Sequence, residues 1–306
     1  MSFLRTMMVS LCLGQLAGAQ MTNTTLSVAD AFLCTGSANY QGGADLTGLN
    51  FGDAGTLAIA PASSAKGEFQ SVIRFNLANG VALFNSAYGS NHWVIHSLTL
   101  ILTSNYGVAG VAPNNPIFNV ISGGRFGIEW LADDEWAEGT GTPNLPTADG
   151  VTYNSLPDLL AQPREILGTN NYSPPGNNVP VAWPLPLAPK LVADVAGGGA
   201  VTFRFYAADE QVAYLFNSYK YGRGNEPRLQ VVAVPWLQLV AGGFTNGGFR
   251  LTGCGGALAT YQIQAASNLT ATNWLTIGTA TADTNGCIQF DDVGATNGQR
   301  FYRMSQ

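Results

Sequence analysis

A chain of 306 residues, 46% apolar and only 10% charged, is long enough to bury a core and too apolar for disorder. Its 37 glycines and few charges argue against helical bundles, which draw on Glu, Lys, Arg and Ala, and for short strands joined by polar turns. A net charge of −6 gives no general attraction to nucleic acid, whose phosphates require a basic face.

The first nineteen residues read as a secretory signal peptide. Arg5 supplies the positive start, "MMVSLCLGQL" the apolar stretch, and Ala17, Gly18 and Ala19 the small-residue cleavage site. The mature chain is expected to begin near Gln20, secreted or held at the cell surface. No second run of spanning length follows, so no membrane span is expected in it. Arg5 is the only basic residue of the leader; without it, 12 basic residues face 19 acidic ones, a net charge of −7. A local patch of Lys and Arg could still attract an acidic polysaccharide within a Debye length.

Along the mature chain, "TLAIA", "QSVIRFNL", "HSLTLILT", "AVTFRFYA" and "RLQVVAV" are rich in β-branched and aromatic residues and read as strands. "NYQGGAD", "SPPGNN" and "VAGGGA" mark breaks between them. In "HSLTLILT" Leu98, Leu100 and Leu102 share one face and Thr99 and Thr103 the other, the alternation of a half-buried strand. The helix-like stretch is "LPDLLAQPREIL", which Pro157 can start and Pro163 interrupts, so it is at most short. Strands at this density predict an all-β fold, a jelly-roll-like antiparallel β-sandwich. After "VVAVPW" the charge thins and Gly-rich sequence sets in, which places a domain boundary between residues 20–234 and a smaller β domain at 235–306.

Three cysteines follow the leader: Cys34, Cys254 and Cys287. In an exported chain, Cys254 and Cys287, which share the short C-terminal segment, form the natural disulfide pair. Three scattered thiols without CxxC spacing do not make a zinc site. Asp30, Asp45 and Asp53 are candidate oxygen ligands for a structural calcium, but no DxDxDG run fixes a site, so the metal stays unassigned and no other cofactor is expected.

The segment "DDEWAEGTGT" gathers Asp133, Asp134, Glu135 and Glu138 around Trp136. A glycosidase needs two carboxylates across a sugar-sized gap, and a partner could come from Asp209 or Glu210. Adjacent acids on a strand or loop alternate direction, however, and a Gly-flanked acidic run reads as solvated loop. His92 and His96 lie in a strand-like pattern with no third ligand nearby. No catalytic residue is assigned. Binding is easier to place. "NSYKYGRGNEPR" is the only dense basic and aromatic stretch of the main domain. Tyr219 and Tyr221 offer rings for stacking on sugars, Lys220 and Arg223 offer cations, and Asn225 a two-way hydrogen-bonding amide.

The order of motifs is similar to that of the DNRLRE domain family. "VADAFLCTGSANYQGGADL" resembles its opening Asp-Ala pair and Asn-Tyr-Gly-type turn, and "SVIRFNLANGV" its Arg-Phe-Asp-Leu strand, with Asn76 where Asp is usual. "EWAEG" and "VTYNSLP" resemble its Trp-x-Glu and Val-Thr-Trp-Asn-x-x-Pro elements, with Tyr153 in place of Trp. "YLFNSYKYGRGNEPRLQVVAVP" is similar to its closing loop and last strand. The resemblance implies a carbohydrate-binding-module-like jelly roll in secreted or surface-bound bacterial proteins, some of which bind polysaccharide, including uronate-rich polymers. Trp136 and Glu138 then stand at the Trp-x-Glu position, where a half-buried ring and its polar partner lock a strand end. Glu138 is expected to pair with a backbone turn or with an arginine such as Arg74. The tail, through "YQIQAASNLTATNWLTIGTATADTNG", "FDD" and "RFYR", resembles a small C-terminal β module of secreted bacterial proteins. The function expected is non-catalytic polysaccharide binding; the alternatives are a structural surface or matrix protein, and a polysaccharide lyase or glycoside hydrolase.

Overall fold

The computed structural model describes residues 20–105, 118, 124–172, 179–221, 224–245, 248–256, 258–283, 286–295 and 300–305. Two compact units divide the chain. Asn23–Val81 and Ser97–Val231 form the larger; Ala82–His96 and Val232–Gln306, with the residues up to Thr22, form the smaller.

The fold is all-β and mostly antiparallel. Among the described residues, ten strands precede the C-terminal segment: β1 (Met21–Cys34), β2 (Thr56–Ile59), β3 (Phe69–Asn76), β4 (Trp93–Thr103), β5 (Arg125–Leu131), β6 (Arg164–Asn171), β7 (Pro180–Leu185), β8 (Ala200–Ala207), β9 (Tyr214–Asn217) and β10 (Arg228–Pro235). Eight of them make one sheet in the order β6-β5-β8-β3-β1-β10-β4-β7. β2 and β9 form a separate ladder, tied to its surroundings by bridges between Ala60 and Phe69 and between Ser104 and Phe216.

Period-two alternation decides which residues go inside. On β8, Val201, Phe203 and Phe205 are fully buried on one face, while Thr202, Arg204 and Tyr206 point to the other. The Phe face curls on itself. Phe126 of β5 meets Trp183 of β7 edge-to-face at 5.5 Å, although these strands lie near opposite ends of the sheet order. Tyr172, Tyr214 and Phe216 complete this aromatic core, with Tyr172 and Tyr214 at 4.7 Å and Phe126 and Phe216 at 5.8 Å. On the opposite face, Ala29, Ala31, Leu33, Val72 and Leu131 are covered by Trp136, Val151, Leu156 and Leu159. The last two belong to α2 (Leu156–Ala161).

Among the described residues, three α-helices interrupt the strands. α2 carries Pro157 in its first turn and ends before Pro163, and the rest of the helix-like stretch, from Arg164, is strand β6. α1 (Ala78–Tyr88) and α3 (Pro189–Gly197) were not expected from the sequence. α3 nonetheless has the local signals of a helix, with Pro189 in its first turn and Gly198 at φ +74° closing it.

The C-terminal strands are β11 (Gln238–Thr245), β12 (Gly248–Cys254), β13 (Thr260–Ala266), β14 (Leu275–Thr281), β15 (Cys287–Asp292) and β16 (Phe301–Ser305). They form two three-stranded sheets, β11-β12-β15 and β14-β13-β16, which share a core of Phe249, Leu251, Tyr261, Ile263, Ile288 and Met304.

The expected disulfide is corrected. Cys254 and Cys287 are direct cross-strand partners of β12 and β15, but both thiols are free. Gly255 N–H donates to Gly286 O at 2.9 Å, which makes the cysteine pair the non-hydrogen-bonded site, where opposed side chains lie closest. Hydrogen bonds of the ladder and the shared core hold these strands together. Cys34 is fully buried and its thiol is pushed up to about 12 by burial, which makes it inert as a nucleophile.

Because Phe126 touches rings from three other strands, Phe126→Ala is expected to cost about 3–5 kcal/mol in urea denaturation. A loss below about 1 kcal/mol would mean that the curled aromatic core is not the main support of the larger unit.

Candidate functional site

The site is assembled from four distant stretches: β1, the turn at residues 50–53, the excursion after β5, and the loop after β9. Its hub is Asn50, which is fully buried. The Asn50 amide donates to the carbonyls of Glu138 (2.6 Å) and Val151 (2.8 Å), and its Oδ1 accepts from Gly52 N (2.9 Å) and Gly141 N (3.1 Å). All four hydrogen-bonding positions of one amide are therefore used to close the loop between Glu138 and Val151 onto residues 50–52. This closeness explains the glycines of "EGTGT". A Cβ at Gly139, which also sits at φ +79°, would strike the Asn50 side chain, and one at Gly141 the Asn50 carbonyl.

So held, Glu138 reaches both remaining stretches. Its Oε1 accepts the backbone N–H of Asp30 at 2.9 Å. Its Oε2 accepts the Tyr219 hydroxyl at 2.8 Å and the Lys220 ammonium at 3.1 Å. Lys220 Nζ also pairs with Asp53 at 3.4 Å and lies 5.6 Å from the Tyr219 ring centre. Burial alone would lower the Lys220 pKa; the hydrogen bond and charge of Glu138 outweigh it and hold the ammonium above its ordinary value. Burial, reinforced by the Glu138 carboxylate, pushes the Tyr219 hydroxyl up to about 12.

Asp30 lies beneath the loop, 1% exposed, and its Oδ2 accepts Tyr219 N–H at 2.9 Å. Burial pushes its carboxyl up to about 7, with the Glu138 charge adding and the Tyr219 hydrogen bond opposing.

The expected binding residues thus have specific places. Tyr219, Lys220 and Tyr221 form a single 3-10 turn and are each half-buried. Asn225 follows in the left-handed region at φ 59°, and its carbonyl accepts from the Asn217 amide at 3.4 Å. Arg223 lies outside the described residues. Tyr219 and Lys220 are brought together with Glu138. Arg74 is not part of that group: its Nη1 donates to the carbonyls of Asp134 and, at 2.9 Å, Trp136, and its guanidinium lies 4.8 Å from the Trp136 ring centre. Glu138 thus meets neither a backbone turn nor an arginine: its partners are a strand N–H of β1, the Tyr219 hydroxyl and Lys220.

The acidic run has separate roles. Asp133 accepts from Glu135 N, turning the chain. Asp134 accepts the Thr202 hydroxyl at 2.6 Å, and Thr202 in turn accepts Trp136 Nε1 at 3.1 Å. Burial pushes Asp134 up to about 6. An open cleft of about 400 Å³ is lined by Asp133, Glu135, Trp136 and Val151, among others, but not by Asp134. The acid with the raised pKa and the cleft therefore do not coincide. Asp209 caps a turn, accepting from Arg125, Gln211 and Val212 N–H groups, and Glu210 accepts from Ser63. His92 is half-buried and His96 exposed. Asp45 bonds Thr47 within its own turn, Asp30 and Asp53 serve the Tyr219–Lys220 loop, and among the described residues no three His, Cys, Asp or Glu are placed to hold a metal. No helix among the described residues is long and apolar enough to cross a membrane.

Asn50 is not singled out by the sequence: four satisfied hydrogen bonds on one amide leave no signature in residue order.

No family model and no curated protein matches the chain. Solved structures with a likeness include Ruminococcus gnavus β-glucuronidase in complex with uronic isofagomine (9% identity, 96% of this chain and 44% of that one, TM-score 0.26). A second structure of that enzyme gives 8% identity, 96% and 46% coverage and a TM-score of 0.23. A β-1,2-glucanase from Parabacteroides distasonis gives 9%, 94%, 36% and 0.19. The chain spans less than half the length of each, and likenesses this slight carry no argument about what it does.

Two outcomes follow from this geometry. Asn50→Ala removes all four bonds and is expected to cost on the order of 3 kcal/mol in chemical denaturation; a change under about 1 kcal/mol would remove Asn50 from the role of hub. The second concerns pH. An unfolded aspartate titrates near about 4, whereas folded Asp30 holds its proton up to about 7, so the native state binds the extra proton in that window. Asp30 therefore contributes a loss of stability as pH rises from about 4 to 7. Asp30→Asn is expected to gain stability relative to the parent protein at pH 8 compared with pH 4, measured by urea midpoints; an unchanged difference between the two pH values would show that Asp30 titrates normally.

Proposed function

We propose that the chain is a secreted, non-catalytic module that binds extracellular polysaccharide through the loop bearing Tyr219, Lys220, Tyr221, Arg223 and Asn225. The observation that carries this reading is the anchoring of Tyr219 and Lys220 on Glu138. Both side chains stay partly open to solvent yet are fixed before any ligand arrives, so binding orders little that is not already ordered. Tyrosine rings supply surfaces for the C–H faces of a sugar, and Lys220 and half-exposed Asp53 supply a donor and an acceptor for its hydroxyls. The resemblance to the DNRLRE family and the signal-like leader point the same way.

The charge pattern favours a neutral glycan over a uronate-rich one. Lys220 is already matched by Glu138 and Asp53, so its ammonium has little left to offer a carboxylate. The non-catalytic reading is supported by Asp30 and Asp134, whose raised-pKa carboxyls are both occupied in holding the fold.

Affinity electrophoresis against neutral and acidic polysaccharides tests this. Retention by a neutral polymer is expected, weakened about tenfold or more in Tyr221→Ala/Arg223→Ala. Unchanged retention in that variant would remove the loop as the site, and no retention on any polymer would favour the structural-protein alternative. Release of reducing ends or unsaturated products would show an enzyme instead.

A further inference from the structure

We infer that the polar half of the sheet face formed by β3, β5 and β8 is a second glycan subsite, separate from the loop, which takes a neutral oligosaccharide segment. This extends the glycan-binding reading and rests on it for the class of ligand, but uses none of the same residues.

The same face has two halves of opposite character. One half, around Val72 and Leu131, is closed by the apolar side chains of Trp136, Leu156 and Leu159. The other carries Gln70 of β3, Arg204 and Tyr206 of β8 and Glu129 of β5. The register places Arg204 opposite both Val72 and Glu129, and Tyr206 opposite Gly127. Five hydrogen bonds run across it in series. Tyr153 donates to Glu68 (2.6 Å), Gln70 donates to Glu68 (2.6 Å), Arg204 Nε donates to Gln70 (2.7 Å), and Arg204 Nη1 and Arg164 Nη1 donate to the two oxygens of Glu129 (2.7 and 2.9 Å).

Stability does not explain this arrangement. Glu129 is 1% exposed and Gln70 4%, and a buried ion pair does no better for stability than apolar residues of similar size, which already cover the adjoining half. What the network does provide is rigidity: two guanidinium groups and a tyrosine hydroxyl held at fixed positions on a sheet. Tyr206 adds a surface. A Cβ on Gly127 would strike the hydroxyl end of the Tyr206 ring, so this ring lies across the sheet instead of standing away from it, with the Arg204 guanidinium 4.7 Å from its centre. Tyr206, Tyr153 and Glu68 are half-buried, and the Arg164 side chain is 48% exposed.

The ligand class follows from the charges. Arg164 and Arg204 are balanced by Glu68 and Glu129, so the shelf has no net formal charge, and the groups that reach solvent, Arg164, Tyr153, Tyr206 and Glu68, include donors, an acceptor and a ring. That complements an uncharged polyol with hydroxyls of both roles and a C–H face for the ring, and not an anion or a nucleic acid.

The test uses the whole protein in two ways. In the parent protein, titration with a neutral oligosaccharide that it binds should shift the backbone amide resonances of Gly127, Arg204 and Tyr206; no shift there at saturation would overturn the subsite. Tyr206→Ala changes a partly exposed ring that holds none of the Glu129 bonds and is expected to lower affinity for the neutral polymer about fivefold or more, with the melting temperature and the loop residues intact. Unchanged affinity would overturn the proposal. If this variant loses affinity and Tyr221→Ala/Arg223→Ala does not, the subsite stands and the loop reading falls; the reverse pattern overturns the subsite alone.

Discussion

The candidate site of the larger unit depends on one buried amide. Asn50 joins two stretches nearly ninety residues apart in sequence and fixes the excursion that carries Glu138. From there a single carboxylate ties that excursion to β1 through Asp30 and to the loop after β9 through Tyr219 and Lys220. Desolvating Asn50 is tolerable because every donor and acceptor it has is met, and the same completeness makes the arrangement brittle. Removing one partner leaves several buried groups unmet at once.

This hub also accounts for the acidic run from Asp133 to Glu138. Its members differ in role because the chain turns between them. Asp133 shapes the turn, Asp134 secures Thr202 and through it the Trp136 ring, and Glu138 organises the loop. Four carboxylates close in sequence are dispersed in space, which is why a raised pKa at Asp134 and an open cleft nearby do not add up to an acid/base pair.

Much of the strand content is legible in residue order. "AVTFRFYA" is β8 from end to end, and "HSLTLILT" lies inside β4, because a half-buried strand writes its two faces as alternation. β1 is harder to read: its first half, "MTNTTL", alternates between partly buried and exposed positions, and its Leu26 falls on the exposed side, 50% open to solvent. α1 includes Asn79 and Gly80, poor helix formers, and is started by the Asn76 side chain, which accepts from Ala78 N at 3.0 Å. α3 had its Pro and Gly signals, but "VAGGGA" reads first as a break. At the site, the aromatic and basic composition of the loop was legible; its anchoring was not, since Glu138 and Asp30 lie 81 and 189 residues before Tyr219. Nothing in residue order links the charged mid-strand positions Glu129 and Arg204; only cross-strand register brings them opposite each other.

In the proposed binding mode, Glu138 pre-orders the loop that meets the sugar. Calorimetric titration of a neutral oligosaccharide into the parent protein and into Glu138→Ala tests it most directly. The parent is expected to bind, and the variant, still folded by circular dichroism, to bind at least about tenfold more weakly with a more unfavourable entropy as the loop is ordered on binding. Equal affinity and equal entropy in the two proteins would contradict the account.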